Sequence, residues 1–302
     1  MEQRLVAYQH GAEKHQLYLN HYERHFQHIV EHHINLLELG IYRGGSLLQW
    51  RDFFRNGQIV GLDLDRVSID DPTGRIVTYQ GDQTDLALLD RIAREHAPGG
   101  FDIIIDDASH IAALTKISFW HLFDNHLKPG GYYVIEDWRV SYSDAAEDGA
   151  RYEWPAPMPV GSSQAELPDH AGSSLGQVDQ IARRIKRTLD RLGGAGVTRV
   201  AARLYRRQKY KSRRFPSHDY GMVGLIKQLI DELGMDAITN PQRGGPPPQR
   251  FPKFQRMEVC PGQVFIIKAT EQDNELVAES LRHPFPAGPA SEPSDYHQPT
   301  IS

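Results

Sequence analysis

The chain has 302 residues, a single cysteine and a formal net charge of −5. One cysteine excludes an internal disulfide framework, and the acidic balance argues against a nucleic-acid binder. The opening MEQRLVAYQHGAEKHQ has no apolar signal-peptide core, and no stretch approaches the roughly 20 apolar residues of a membrane span. A cytoplasmic soluble enzyme is the expectation.

Residues 1–33 precede the first strand and are predicted to form a helical lid or cap. Within them His21, His25, His28 and His32 share one helical face, but no acid or cysteine completes a zinc site. A solvated or lid helix is therefore expected, with Tyr18, Tyr22, Phe26 and Ile29 as its packing stripe.

From residue 34 strands and helices alternate. INLLELG (34–40) reads as a buried strand, followed by a glycine-rich turn and the amphipathic SLLQWRDFF (46–54). IVGLDL (59–64) and RIVTYQ (75–80) are the next strands, and LALLDRIAREH (86–96) is a helix stopped by Pro98-Gly99-Gly100. FDIIIDD (101–107) is the fourth strand and ALTKISFWHLFDNHL (113–127) the helix after it. Lys128-Pro129-Gly130-Gly131 is predicted to turn into a fifth strand, YYVIED (132–137). This rhythm implies a parallel sheet with helices on both faces, an α/β doubly wound fold.

The rhythm breaks between about 142 and 216. A Pro/Ser/Gly-rich loop (154–176) leads into two basic helical stripes, with thirteen Lys/Arg residues between Arg183 and Arg214 against one acid, Asp190. Such helices suit contact with anionic lipid or an anionic acceptor, with a solvated lid or homo-oligomer contact as the competing role. The alternation returns with the helix MVGLIKQLIDELG (222–234), a Pro/Gly loop (241–252) and the strands RMEVC (256–260) and VFIIKA (264–269). Only Pro261-Gly262-Gln263 separates these two, which predicts an antiparallel hairpin. Residues 271–302 are polar and proline-bearing and are expected to be disordered. Residues 34–270 thus form the main domain, and its five parallel strands closed by a C-terminal hairpin resemble the Rossmann-like sheet of class I methyltransferases.

In an open parallel sheet the strand carboxyl ends converge on one crevice, and acids stand at four successive strand ends. The first ends in 38-ELGIYRGGS-46, an E-x-G-x-x-x-G turn rather than the G-x-G-x-x-G of dinucleotide folds. Dinucleotide glycines bring a helix N-terminus to a pyrophosphate. S-adenosyl-L-methionine has no phosphate and carries an ammonium, which suits Glu38, with Gly40 and Gly44 allowing close backbone approach. Tyr42 and Ser46 belong to the same loop. Asp63 can accept from ribose hydroxyls, and Asp82 with Gln83, in 81-GDQTD-85, can reach the adenine. Each also has a bland reading as a turn residue or helix cap.

Asp106, Asp107 and His110, in DDASH, and Glu136 with Asp137, in VIEDW, end neighbouring strands. Asp107, Glu136 and Asp137 could supply oxygens to one Mg²⁺. The chemistry needs help at the nucleophile, because a sugar hydroxyl is almost fully protonated at neutral pH. A cation can stabilise the alkoxide, and His110 can take the proton. Asp106 and Asp107 could instead contact the cofactor or cap the next helix, and Glu136-Asp137 could be a solvated strand end. Trp138, Arg139 and Tyr142 follow directly and are candidates to line the acceptor pocket.

The segments ELGIYRGGS, GDQTD, DDASH, KPGGYYVIEDW and HDYGMVGLIKQLIDEL resemble the O-methyltransferase family of antibiotic biosynthesis. That family includes the mycinamicin and macrocin sugar O-methyltransferases, the tetracenomycin rhamnosyl methyltransferases and relatives named cephalosporin hydroxylases. The resemblance runs from about Gly11 to Lys268, leaving out the basic insertion. It implies a Mg²⁺- and S-adenosylmethionine-dependent enzyme acting on a sugar or polyol hydroxyl of a natural product or glycoconjugate. Asp107, Glu136 and Asp137 would hold the metal, and His110 would be the base. The chain departs from the family at 11-GAEK-14, where members often show G-T-D-K, so one cofactor contact there is in doubt. The larger members carry an additional N-terminal domain for which no counterpart is expected here, so the acceptor is not carried over. The rival readings are a metal-independent methyltransferase of this fold and a catalytically idle cofactor-binding partner. A nicotinamide oxidoreductase is disfavoured by the first turn and the terminal hairpin.

Overall fold

Apolar runs at 59–62 and 103–105, and at 36–39 broken only by Glu38, require strands covered on both faces, and the sheet is built that way. The structure, a computed structural model, describes residues 4–143, 146–149, 220–241, 244–246 and 248–282. These belong to one compact unit; the second, 153–218, contains the basic stripes and lies outside the described residues.

The strands are β1 (Asn35–Leu39), β2 (Gln58–Asp63), β3 (Ile76–Gln80), β4 (Phe101–Asp106), β5 (Leu127–Glu136), β6 (Phe254–Cys260) and β7 (Gln263–Lys268). Their order is β3-β2-β1-β4-β5-β7-β6. The first five are parallel, and β7 runs antiparallel between β5 and β6. This is the class I methyltransferase sheet expected from the hairpin.

Alternation of side chains along each strand sorts the core into two layers. Leu37, Ile104, Tyr133, Ile135 and Ile266 pack with α3 (Leu86–His96), α4 (Ala112–Asn125) and α5 (Gly221–Leu233). Leu36, Ile103, Ile105, Val134 and Phe265 pack with α1 (Gln16–Phe26) and α2 (Gly45–Phe53). The same parity governs the acids. Glu38 and Glu136 share the α1/α2 face with Leu36 and Val134, whereas Asp106 shares the α3/α4 face with Ile104.

Three expectations are corrected. Helix α1 is no solvated lid: Leu19, Tyr22, His25 and Phe26 are buried, and His25 stacks on Phe265 with ring centroids 4.0 Å apart. Aromatic rings at helical spacing found a hydrophobic face to cover. The segment 128–131 is not a turn but the start of β5, absorbed as an irregularity where the register against β4 jumps between Phe101 and Ile103. Residues Glu271–Arg282 form α6 rather than a disordered tail, with Thr270 before it accepting from the Asp273 amide at 3.2 Å and Asp273 accepting from the Thr270 amide at 2.8 Å in a capping box. The remainder, 283–302, lies outside the described residues.

Candidate active site

The acids at the carboxyl ends of β1, β4 and β5 separate into a buried cluster and an accessible rim. In the buried cluster, Glu38 has no exposed surface, and its Oε2 accepts from Ser46 Oγ at 2.7 Å and Trp50 Nε1 at 3.1 Å. Glu136, nearly as buried, accepts from Tyr22 Oη and from Lys14 Nζ at 2.9 Å. Lys14 also donates to Asp107 Oδ2 at 2.8 Å and lies 3.2 Å from Glu38 Oε1. Only 5% of Lys14 is exposed, so one ammonium serves three carboxylates in a nearly dry pocket.

The electrostatics follow from that arrangement. Burial opposes the Lys14 charge, but Asp107, Glu136 and Glu38 outweigh it and hold its pKa well above the usual lysine range. Burial pushes the Glu136 carboxyl up to about 7, reinforced by Asp107 and opposed by Lys14. Burial likewise pushes Asp107 up to about 6 against the pull of Lys14. The Tyr22 hydroxyl is raised too, by burial first and Glu136 second.

The rim consists of Asp107, His110 and Asp137. His110 Nε2 lies 3.9 Å from Asp107 Oδ1 and 3.9 Å from Asp137 Oδ2. One ligand atom from each of the three lies within 4.8 Å of the others. His110 and Asp137 both sit in the left-handed region, at φ 54° and 52°. Strain of this kind persists only where the surroundings over-determine it. For Asp137 those surroundings include Tyr18, whose hydroxyl donates to Oδ1 at 2.5 Å. Two carboxylates with lone pairs to spare and an imidazole make a donor set that fits a hard divalent cation with an adjacent base.

Gly40 joins the rim to the first turn. Its φ is +79°, and a Cβ there would lie 2.2 Å from the Asp107 carbonyl oxygen. Only glycine allows the β1 turn to lie against the β4 loop. Behind it, Asp63 Oδ2 accepts from the amides of Ile41 and Tyr42, both at 2.8 Å, so this acid shapes the turn as well as facing outward. Gly44 caps α2 in the left-handed region, and Tyr42 is exposed with Arg43 over its ring.

Several residues singled out in the sequence stand elsewhere than expected. Glu136 does not join the rim, because strand parity turns it towards α1. Ser46 donates its hydroxyl to Glu38, which faces the protein interior, with Oε2 also taken by Trp50 and Oε1 left 3.2 Å from Lys14 Nζ without a hydrogen-bond partner. Asp106 is buried on the opposite face, accepting from Ser118 at 3.1 Å and Tyr133 at 3.2 Å, with its carboxyl raised to about 6 by burial. Gln83 is buried between Ser118 and the Ser109 amide. Asp82 is exposed and closes an Asx turn on Thr84. Trp138 donates to the Cys260 carbonyl at 2.9 Å, tying the β5 end to the hairpin, with Tyr142 edge-on to its ring. Arg139 is exposed.

Sequence reasoning missed Lys14, Tyr18 and Tyr22 as site residues. The signal for Lys14 was its place in 11-GAEK-14, which drew notice for its missing threonine rather than its lysine. The tyrosines were assigned to packing, which is half of what they do.

No family model matches the chain. It is 41% identical over 169 residues to mycinamicin VI 2''-O-methyltransferase of Micromonospora griseorubida, covering 53% of this chain and 37% of that protein. It is 38% identical over 175 residues to demethylmacrocin O-methyltransferase of Streptomyces fradiae, covering 53% and 43% respectively. The chain therefore spans less than half the length of these relatives. Among solved structures, a methyltransferase of the mycinamycin pathway in complex with Mg and SAH aligns over 83% of this chain and 49% of its own, at 29% identity and a TM-score of 0.49. The chain resembles the macrolide and tetracenomycin sugar O-methyltransferases in sequence, on a class I methyltransferase sheet.

Proposed function

We propose that the chain is a Mg²⁺- and S-adenosylmethionine-dependent O-methyltransferase acting on a sugar or polyol hydroxyl of a glycosylated natural product. The observation that carries this reading is the meeting of Asp107, Asp137 and His110 at the carboxyl ends of β4 and β5, against the glycine turn of β1. The relatives at 38% to 41% identity, named as sugar O-methyltransferases, support it. A cytoplasmic location goes with this reading, and the one cysteine is uncrosslinked.

When bound, the cofactor supplies a methyl group on a sulfonium, and the cation supplies positive charge beside the acceptor oxygen. The protein's own residues do the rest. Asp107 and Asp137 would hold the cation through the oxygens on their His110 side. His110 Nε2 takes the hydroxyl proton, and the two carboxylates stabilise the imidazolium that results; such base catalysis contributes typically about 10²–10⁴-fold. The Gly40 contact keeps the cofactor-side turn and the base-bearing loop in fixed relation, which serves alignment of oxygen and methyl. Asp63 would take the ribose and the exposed Asp82 the adenine side, while Gln83 holds the Ser109 amide of the β4 loop in place. Incubation with the cofactor, Mg²⁺ and glycosylated macrolides should add one methyl group to the acceptor by mass spectrometry; no product across a panel of hydroxylated glycosides would overturn the reading.

A metal-independent methyltransferase is the second reading, and the engagement of Glu136 by Lys14 and Tyr22 favours it, since one of the three acids assigned to the metal is already paired. Activity that persists unchanged in EDTA would select it over the first.

A further inference from the structure

At the other end of the sheet, where β4 and β5 begin, two imidazoles converge on one carboxylate. Asp90 on α3 has His121 Nε2, from α4, 2.8 Å from its Oδ1, and His126 Nε2, from the C-terminal cap of α4, 2.6 Å from the same oxygen. The rings stand edge to face with centroids 5.4 Å apart. Both histidines are mostly buried while Asp90 is 40% exposed, so the cluster opens to water on the carboxylate side. It is separated from the rim by the length of β4, roughly 17 Å for five steps of 3.3 Å.

We infer that Asp90, His121 and His126 form a second cation site, for a borderline divalent transition metal such as Zn²⁺, which no part of the methyl-transfer reading uses. Two imidazole nitrogens with one carboxylate favour Zn²⁺, Cu²⁺ or Ni²⁺ over Mg²⁺. The carboxylate-rich rim has the opposite preference, so the two sites differ in the ion each selects. Little movement is needed. Ligands about 2.1 Å from a tetrahedral zinc stand roughly 3.4 Å apart, so the two nitrogen–oxygen separations of 2.8 and 2.6 Å open by about 0.6 and 0.8 Å. Water completes the coordination on the exposed side. The bound ion would pin the C-terminal end of α4 to α3 beside a cavity of about 450 Å³ that His126, Arg94 and Lys128 help to line.

The test uses the full chain carrying His110→Gln, which removes the imidazole of the rim. Calorimetric titration with Zn²⁺ should show a site that a tenfold excess of Mg²⁺ does not displace. Adding His126→Gln should weaken that site at least tenfold, and Asp90→Asn, which preserves shape and hydrogen bonding, should also weaken it. The electron paramagnetic resonance of Cu²⁺ at the site should carry two-nitrogen hyperfine structure that His126→Gln reduces to one. Zn²⁺ affinity and stoichiometry left unchanged by both substitutions, or no Zn²⁺ site in the folded His110→Gln protein, would overturn the inference. Neither result bears on methyl transfer, which is read separately.

Discussion

Lys14 Nζ lies 2.8 Å from Asp107 Oδ2, and through this contact the segment before α1 becomes part of the site wall. Glu136 and Glu38 complete its shell. Removing one partner from a buried ionic cluster leaves uncompensated charge, at a cost of about 3–5 kcal/mol. Lys14→Met should therefore lower the urea-unfolding free energy by about that much at neutral pH. A loss within about 0.5 kcal/mol, the range of ordinary surface changes, would show that the cluster does not depend on this ammonium.

The cation ligands can be separated by substitution. Asp137→Asn should weaken divalent-cation binding by tenfold or more, measured by Mn²⁺ titration. Glu136→Gln should change it far less, because Glu136 already serves Lys14 and Tyr22. Equal losses for both would mean that Glu136 leaves its partners when the ion binds.

His110→Gln should lower kcat by about 10²–10⁴-fold with cofactor affinity nearly unchanged, as read by calorimetry with S-adenosylhomocysteine. Retained turnover would remove His110 from the role of base.

Gly40→Ala places a methyl group 2.2 Å from the Asp107 carbonyl oxygen on a backbone at φ +79°. Strain of this kind costs of order 1–3 kcal/mol before the clash is counted. Thermal unfolding should show at least that loss, together with weakened cofactor binding. A variant of native stability would mean that the two loops do not touch in solution.

His25 contributes a loss of stability on the acid side, opposed by the raised carboxyls of Glu136, Asp107 and Asp106, which gain protons in the folded state over the same range. Burial lowers the His25 pKa from 6.5 to about 4, against the pull of Glu258, whose Oε2 lies 3.3 Å from Nε2. Above pH 6.5 the ring is neutral folded and unfolded, so stability is fully present. As pH falls from 6.5 towards 4 the unfolded chain takes the proton first, and the His25 contribution to stability drops by on the order of 3 kcal/mol. His25→Leu should flatten this part of the stability–pH curve in urea titrations; an unchanged slope would exclude His25 as its source.

The sheet and much of the rim were legible in the chain itself. Uninterrupted apolar strands, turn residues and the short Pro261-Gly262-Gln263 link act over a few residues, so periodicity alone orders β1 to β5 and the terminal hairpin. DDASH and the Glu136-Asp137 pair announced a rim of acids and an imidazole for the same local reason. Strand parity could even have separated Glu136 from Asp137. What no local pattern carries is the identity of the partners. Lys14 is 93 residues from Asp107 and 122 from Glu136, and Tyr18 is 119 from Asp137. Packing of α1 over one face of the sheet decides those pairs, because a buried carboxylate takes whatever donor the covering helix brings within reach.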